Sequence, residues 1–146
     1  MATLRESLKA RLENDSALAA LLTGGVLDAA DIPTDSGIDV APRLSDGVRI
    51  APYAVVRWQA SNAYSMLNIG AEQETVEIYC YQHSGYDTIE AAQGRIKTLL
   101  HNAYLDVDDR DLAHVLFAYI SGEVPADELG GASCRFSRYV VTGVRR

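Results

Sequence analysis

Cysteine is almost missing from this sequence: of 146 residues only Cys80 and Cys134 carry thiols, far apart and in no CxxC or Cys/His spacing. That excludes a disulfide framework and a cysteine-built metal knot, and leaves two thiols expected to be buried and reduced, as suits a cytoplasm. Basic side chains are also short, 13 Lys and Arg against 20 Asp and Glu, for a net charge of −7. Such a balance repels phosphate backbones and excludes an ordinary grip on nucleic acid. No apolar run approaches the roughly 20 residues that cross a bilayer. The opening Leu4-Arg5-Glu6-Ser7-Leu8-Lys9 is amphipathic rather than charged-then-apolar. The expectation is a protein made in the cytoplasm, with no membrane partner.

The common catalytic signatures are missing too. There is no phosphate-binding G-x-x-x-x-G-K-[ST], no G-x-G-x-x-G after a strand, no G-x-S-x-G elbow and no H-E-x-x-H. His83, His101 and His114 are scattered over a turn, a helix end and a strand, so no metal site is expected. Residues 106–111, rich in Asp, imitate a calcium loop but put Arg110 at the fifth place, Phe117 at the twelfth and no Gly at the sixth. They read as a solvated acidic turn. No pair of carboxylates sits in an apolar setting that would split acid and base roles. No enzyme, cofactor or metal is expected.

What is present is a packing pattern. In residues 75–81, Val76, Ile78 and Cys80 alternate with Glu77, Tyr79 and Tyr81, the period of a strand with one core face. Ser84 is the expected cap of a helix from about Tyr86, in which Ile89, Ala92, Ile96, Leu99, Leu100 and Ala103 form an apolar stripe. His101 is placed to meet its last carbonyls. A first helix carries Leu4, Leu8 and Leu12, and a short Ala/Leu helix follows Asn14-Asp15-Ser16. Further strands are expected over 53–59, 114–120 and 133–144, with Phe136, Val140 and Val141 buried and Tyr79, Tyr81 and Tyr139 on sheet faces. Residues 53–81 read as an antiparallel hairpin with a long tip, and Val26-Leu27 as a brief strand.

The expected fold is therefore α+β: one domain over 1–146, an antiparallel four-stranded sheet with two or three helices packed on one face. Two long loops interrupt it. Residues 31–46 collect Pro, Gly, Asp and Ser, and residues 60–70 hold Tyr64, Met66, Leu67 and Ile69. Both are candidate interaction arms. The candidate interface residues are Arg43 and Trp58, the loop residues Tyr64, Met66 and Leu67, and the strand residues Tyr79 and Tyr81.

The leucine-rich first helix, the run Asp15-Ser16-Ala17-Leu18-Ala19-Ala20-Leu21-Leu22, the entry Ala51-Pro52-Tyr53-Ala54-Val55-Val56, and Glu77-Ile78-Tyr79-Cys80-Tyr81 passing through Gly85-Tyr86 into a helix carry a resemblance. In this order they resemble the tail terminator proteins, also called tail completion or head-to-tail joining proteins, of long-tailed phages and related gene transfer particles. The resemblance implies a virion protein whose copies form a ring of six. That ring caps the head-proximal end of the tail tube, stops its polymerisation and docks the neck. The implied partners are copies of itself, the tail tube protein and a neck or stopper protein, with DNA sliding through the lumen without sequence-specific binding. An acidic lumen would suit that passage; Arg43, Arg57, Arg135 and Arg138 around the lumen would not. Other readings are a head-completion adaptor or stopper, a cellular α+β binding module with an apolar pocket, and a small enzyme with a perturbed titratable group in a cleft.

Overall fold

The computed structural model describes residues 3–29, 51–63, 71–108, 110–126 and 132–145. Helix α1, Leu4–Glu13, begins at a capping box: the Glu6 amide donates to Thr3 Oγ1 at 3.2 Å and the Thr3 amide to the Glu6 carboxylate at 3.1 Å. Leu4, Leu8 and Leu12 are its buried stripe. Helix α2, Ser16–Leu21, is capped by Asp15, whose carboxylate accepts from the Leu18 amide at 2.9 Å. Then come β1 (Val26–Asp28), β2 (Tyr53–Ala63), β3 (Ala71–Gln82), α3 (Asp87–Leu100), β4 (Ala103–Leu105), β5 (Arg110–Ile120), β6 (Val124–Ala126) and β7 (Ala132–Arg145).

The strands make one mixed sheet in the order β1-β2-β3-β7-β5-β4, with β6 also paired to β7. Pairing is antiparallel except between β1 and β2, which run parallel from Val26 opposite Ala54. This corrects the four-stranded antiparallel sheet expected above. The brief strand expected at Val26-Leu27 is β1, but it joins the sheet through a parallel pairing, which leaves no mark in either of its strands; the unexpected strands β4 and β6 are three residues each, too short to display an alternation. The expected hairpin pairing is present, Tyr53 opposite Tyr81 and Val56 opposite Ile78, but its arms run on to Ala63 and Ala71 past an irregularity between Trp58 and Ser61. The supposed acidic turn is shorter than expected, because Arg110 and Asp111 already belong to β5.

Helices cover one face of the sheet. The core joins Leu8, Leu12 and Leu18 of α1 and α2 to Ile89, Ala92, Ile96 and Leu100 of α3, over Val56, Val76, Ile78, Val115, Tyr139 and Val141 of the strands. Each fully buried aliphatic side chain there is worth about 1.5–3 kcal/mol. Helix α1 packs against both β1 and β4, the two outer strands, so the sheet curls around the helical layer. Tyr139, expected on an accessible sheet face, is wholly buried in this core because register sets it opposite Val76. Burial also pushes its hydroxyl pKa up.

Two local devices differ from the expected ones. Helix α3 starts at Asp87 with no side-chain cap from Tyr86, and Ser84 is not its cap. Buried Gln82, the last residue of β3, acts instead: its Oε1 accepts from the Ile89 amide at 2.9 Å, and its Nε2 donates to Asp87 Oδ1 at 2.9 Å and to the Ser84 carbonyl at 2.6 Å. At the other end His101 turns from the helix carbonyls to β5, its Nδ1 accepting from the Phe117 amide at 3.1 Å. Asn102 then takes φ +62°, the left-handed turn into β4 that Asn tolerates.

Candidate interaction surface

The face of the sheet away from the helices is built from the alternate residues of the same strands. Tyr53, Val55 and Arg57 of β2, Glu77, Tyr79 and Tyr81 of β3, and Cys134, Phe136 and Arg138 of β7 share it, because register pairs Val55 with Tyr79, Arg57 with Glu77, Glu77 with Arg138 and Tyr79 with Phe136. Tyr104 of β4 and His114 of β5 are register partners on the same side, beside Leu116, which lies opposite Val140. An irregularity between Phe117 and Tyr119 returns Tyr119 to this face, opposite Arg138.

The face has two halves. Toward β1, Tyr53, Val55, Ala132 and Cys134 are buried, with Leu27, Ala29, Tyr79 and Tyr81 packed against them. Tyr53 and Tyr81 stack at 4.8 Å between ring centroids, and burial pushes the Tyr81 hydroxyl pKa up. Toward β4 the face is open: Tyr104 is 62% exposed, Leu116 43% and Tyr119 40%. Tyr104 stacks on His114 at 4.6 Å, and His114 Nε2 donates to Asn102 Oδ1 at 2.7 Å.

An ion pair inside a ring of aromatics sits between the halves. Glu77 is only 5% exposed. Its Oε2 accepts from Arg138 Nη2 at 2.7 Å and Nε at 3.1 Å, and its Oε1 accepts from Gln59 Nε2 at 2.8 Å and from the Tyr79 hydroxyl at 3.4 Å. Those bonds hold the Arg138 pKa above its usual value. The Arg138 guanidinium lies 4.7 Å from the Tyr119 ring centroid and 5.9 Å from that of Phe136, while Phe136 stacks on Tyr79 at 4.9 Å and Arg57 covers Tyr79 at 5.5 Å. Burial, then the Glu77 charge, pushes the Tyr79 pKa up. This is an arrangement for holding a surface in shape. Nothing in it resembles a nucleophile with its base.

Of the interface residues expected from sequence, Tyr79 and Tyr81 lie on this face. Trp58 lies on the helix side, half-buried against the core with the Arg5 guanidinium 5.8 Å from its ring. Arg43, Tyr64, Met66 and Leu67, and the loop 31–46, lie outside the described residues. Phe136, expected to be buried, is half-buried on the open face opposite Tyr79. Sequence reasoning passed over Tyr104, Leu116 and Tyr119. The β5 run His114-Val115-Leu116-Phe117-Ala118-Tyr119 is apolar on both sides, and its bulge breaks the period that would have sorted them.

Elsewhere, among the described residues, no group of three or more His, Cys, Asp or Glu side chains could hold a metal ion, and no helix is long and apolar enough to cross a membrane. A cavity of about 90 Å³ opens between α1, α2 and β1, lined by Leu12, Leu18, Leu22 and Val26 among others. That is well under the roughly 300 Å³ at which ligand pockets begin.

No family model and no curated protein matches the chain. Among solved structures it is similar to a chain of the "Virion of native gene transfer agent (GTA) particle", with a TM-score of 0.67 over 98% of this chain and 95% of that one. The two share 16% of their residues, so the likeness establishes a common fold across nearly the whole length of both.

Proposed function

We propose that this protein is a structural component of a phage-like particle, and within it the tail terminator: a ring of about six copies at the head-proximal end of the tail tube that stops tube growth and joins tail to neck. The observation that carries the reading is the end-to-end fold likeness to a chain of a gene transfer agent virion. The order of elements that resembles the terminator family supports the finer assignment. A ring requires different patches of one subunit to meet on the next, and the aromatic face of the curled sheet supplies one such patch. The reading makes the chain non-catalytic, a virion protein assembled from host-made subunits, with tube and neck proteins as partners. DNA passes through the lumen held off by the net charge of −7.

The test is electron microscopy of particles assembled without the chain. The terminator reading expects tails that are over-long and headless. Heads that fill and then leak DNA would instead assign the chain to the stopper or adaptor of the neck, and normal particles would remove it from the virion.

A further inference from the structure

Among the described residues, three buried side-chain atoms that complete no hydrogen bond, Gln93 Nε2, Ser137 Oγ and Tyr139 OH, belong to α3 and β7, which pack together in the core. Gln93 is 2% exposed and the other two residues 0%. Buried polar groups are nearly always bonded, either to the protein or to ordered water. We infer that one ordered water molecule is bound between α3 and β7, held by the Gln93 amide and the two hydroxyls. The site is internal to a single subunit, so it goes beyond the ring reading and does not depend on it.

Two contacts bracket the place. Arg135 of β7 donates from Nη1 to Glu90 Oε1 at 3.2 Å, near the start of α3. Further along the helix, Lys97 Nζ lies 4.2 Å from the Phe117 ring centroid, and that ring meets Tyr139 edge-on at 5.7 Å. Helix and strand therefore advance together from one contact to the other. At about 1.5 Å per helix residue and 3.4 Å per strand residue, Gln93 stands about 4.5 Å beyond Glu90 and Ser137 about 7 Å beyond Arg135, which sets the amide over the serine. The Tyr139 hydroxyl turns the same way. Besides burial, the groups that move its acidity are Cys80, the register partner of Arg135, and Ser137, both on the Arg135 side of it. Chemistry then selects the occupant. An amide and two hydroxyls are neutral, so an ion among them would lack a counter-charge, and an apolar molecule would leave all three unpaired. A water needs two to four polar partners, and hydroxyls that donate or accept beside an amide that donates supply three.

The experiment is a crystal structure of the full chain at a resolution that shows internal water, paired with water relaxation dispersion in solution, which detects long-lived bound molecules. Tyr139→Phe and Gln93→Met each remove one partner while nearly keeping the core's volume, and either serves alone where the other does not fold. The expected result is one oxygen peak roughly 2.7–3.2 Å from all three atoms. In solution the unaltered chain is expected to hold a long-lived water whose residence time falls roughly fivefold or more in either variant, the loss of about one hydrogen bond. A Ser137 hydroxyl bonded directly to Tyr139, with Gln93 Nε2 on a backbone carbonyl and no density between, would overturn the inference. So would a peak heavier than oxygen, which makes the occupant an ion, or a residence time unchanged by both substitutions.

Discussion

Arg138 reaches across the β3–β7 pair to its register partner Glu77 and places Nη2 2.7 Å from a carboxylate oxygen that the sheet has almost entirely withdrawn from water. The pair is lopsided, since the carboxylate is buried and the guanidinium side chain is 39% exposed. Removing the arginine strands the acid. Arg138→Ala is expected to destabilise the protein by about 2 kcal/mol, less than a fully buried pair because the arginine side chain stays partly in water. Glu77→Gln should cost less, since an amide oxygen still accepts from Arg138. Urea unfolding of both single variants and the double variant measures the coupling.

A second ion pair ties the helices. Arg95 of α3 donates from Nη2 to Asp15 Oδ1 at 2.6 Å and from Nε to Oδ2 at 2.8 Å, and Asp15 also caps α2. The arginine hydrogen bonds, followed by the Leu18 amide, lower the Asp15 pKa from 3.8 to about 2. The folded form thus binds its proton less readily than the unfolded form. The stabilisation is complete above pH 3.8 and is lost as pH falls through about 2. Melting curves between pH 5 and pH 2 are expected to show this loss, and Asp15→Asn should remove that part of the pH dependence while lowering the melting point by a few degrees at neutral pH.

Gln82 does for α3 what a capping serine does elsewhere. Gln82→Ala leaves the buried Ile89 amide without its acceptor and should cost about 1 kcal/mol. Hydrogen exchange resolved by residue would locate the effect, with faster exchange at Ile89 and little change in α1.

The two thiols should be silent in the native protein. Cys80 is fully buried on the helix side and burial pushes its pKa up to about 12, while Cys134 is buried on the opposite face. A thiol reagent at neutral pH is expected to label neither until denaturant is added, and then both. Fast labelling of Cys134 alone would show that the β1 side of the face opens in solution.

The legible part of this fold was the part with a period. Val76, Ile78 and Cys80 announced a strand with one core face, and Ile89, Ala92 and Ile96 a helix to cover it, because alternation and helical spacing are written in one stretch of chain. The three-residue strands β4 and β6 and the parallel pairing of β1 with β2 carry no such signature. The capping role of Gln82 was hidden for a related reason: the residue is the end of one element and acts on the start of the next. The surface was the least legible. That Glu77 meets Arg138, and that Tyr119 rather than Tyr139 faces outward, depends on register between residues 61 apart in sequence and on a bulge in β5. Local pattern cannot encode either.

The most direct measurement of the central claim is the position of the chain on isolated tails stripped of heads, located by a gold-conjugated antibody under the electron microscope. The account predicts label at one end of each tail, the head-proximal one. Label spread along the tube, or confined to heads with bare tail ends, would contradict it.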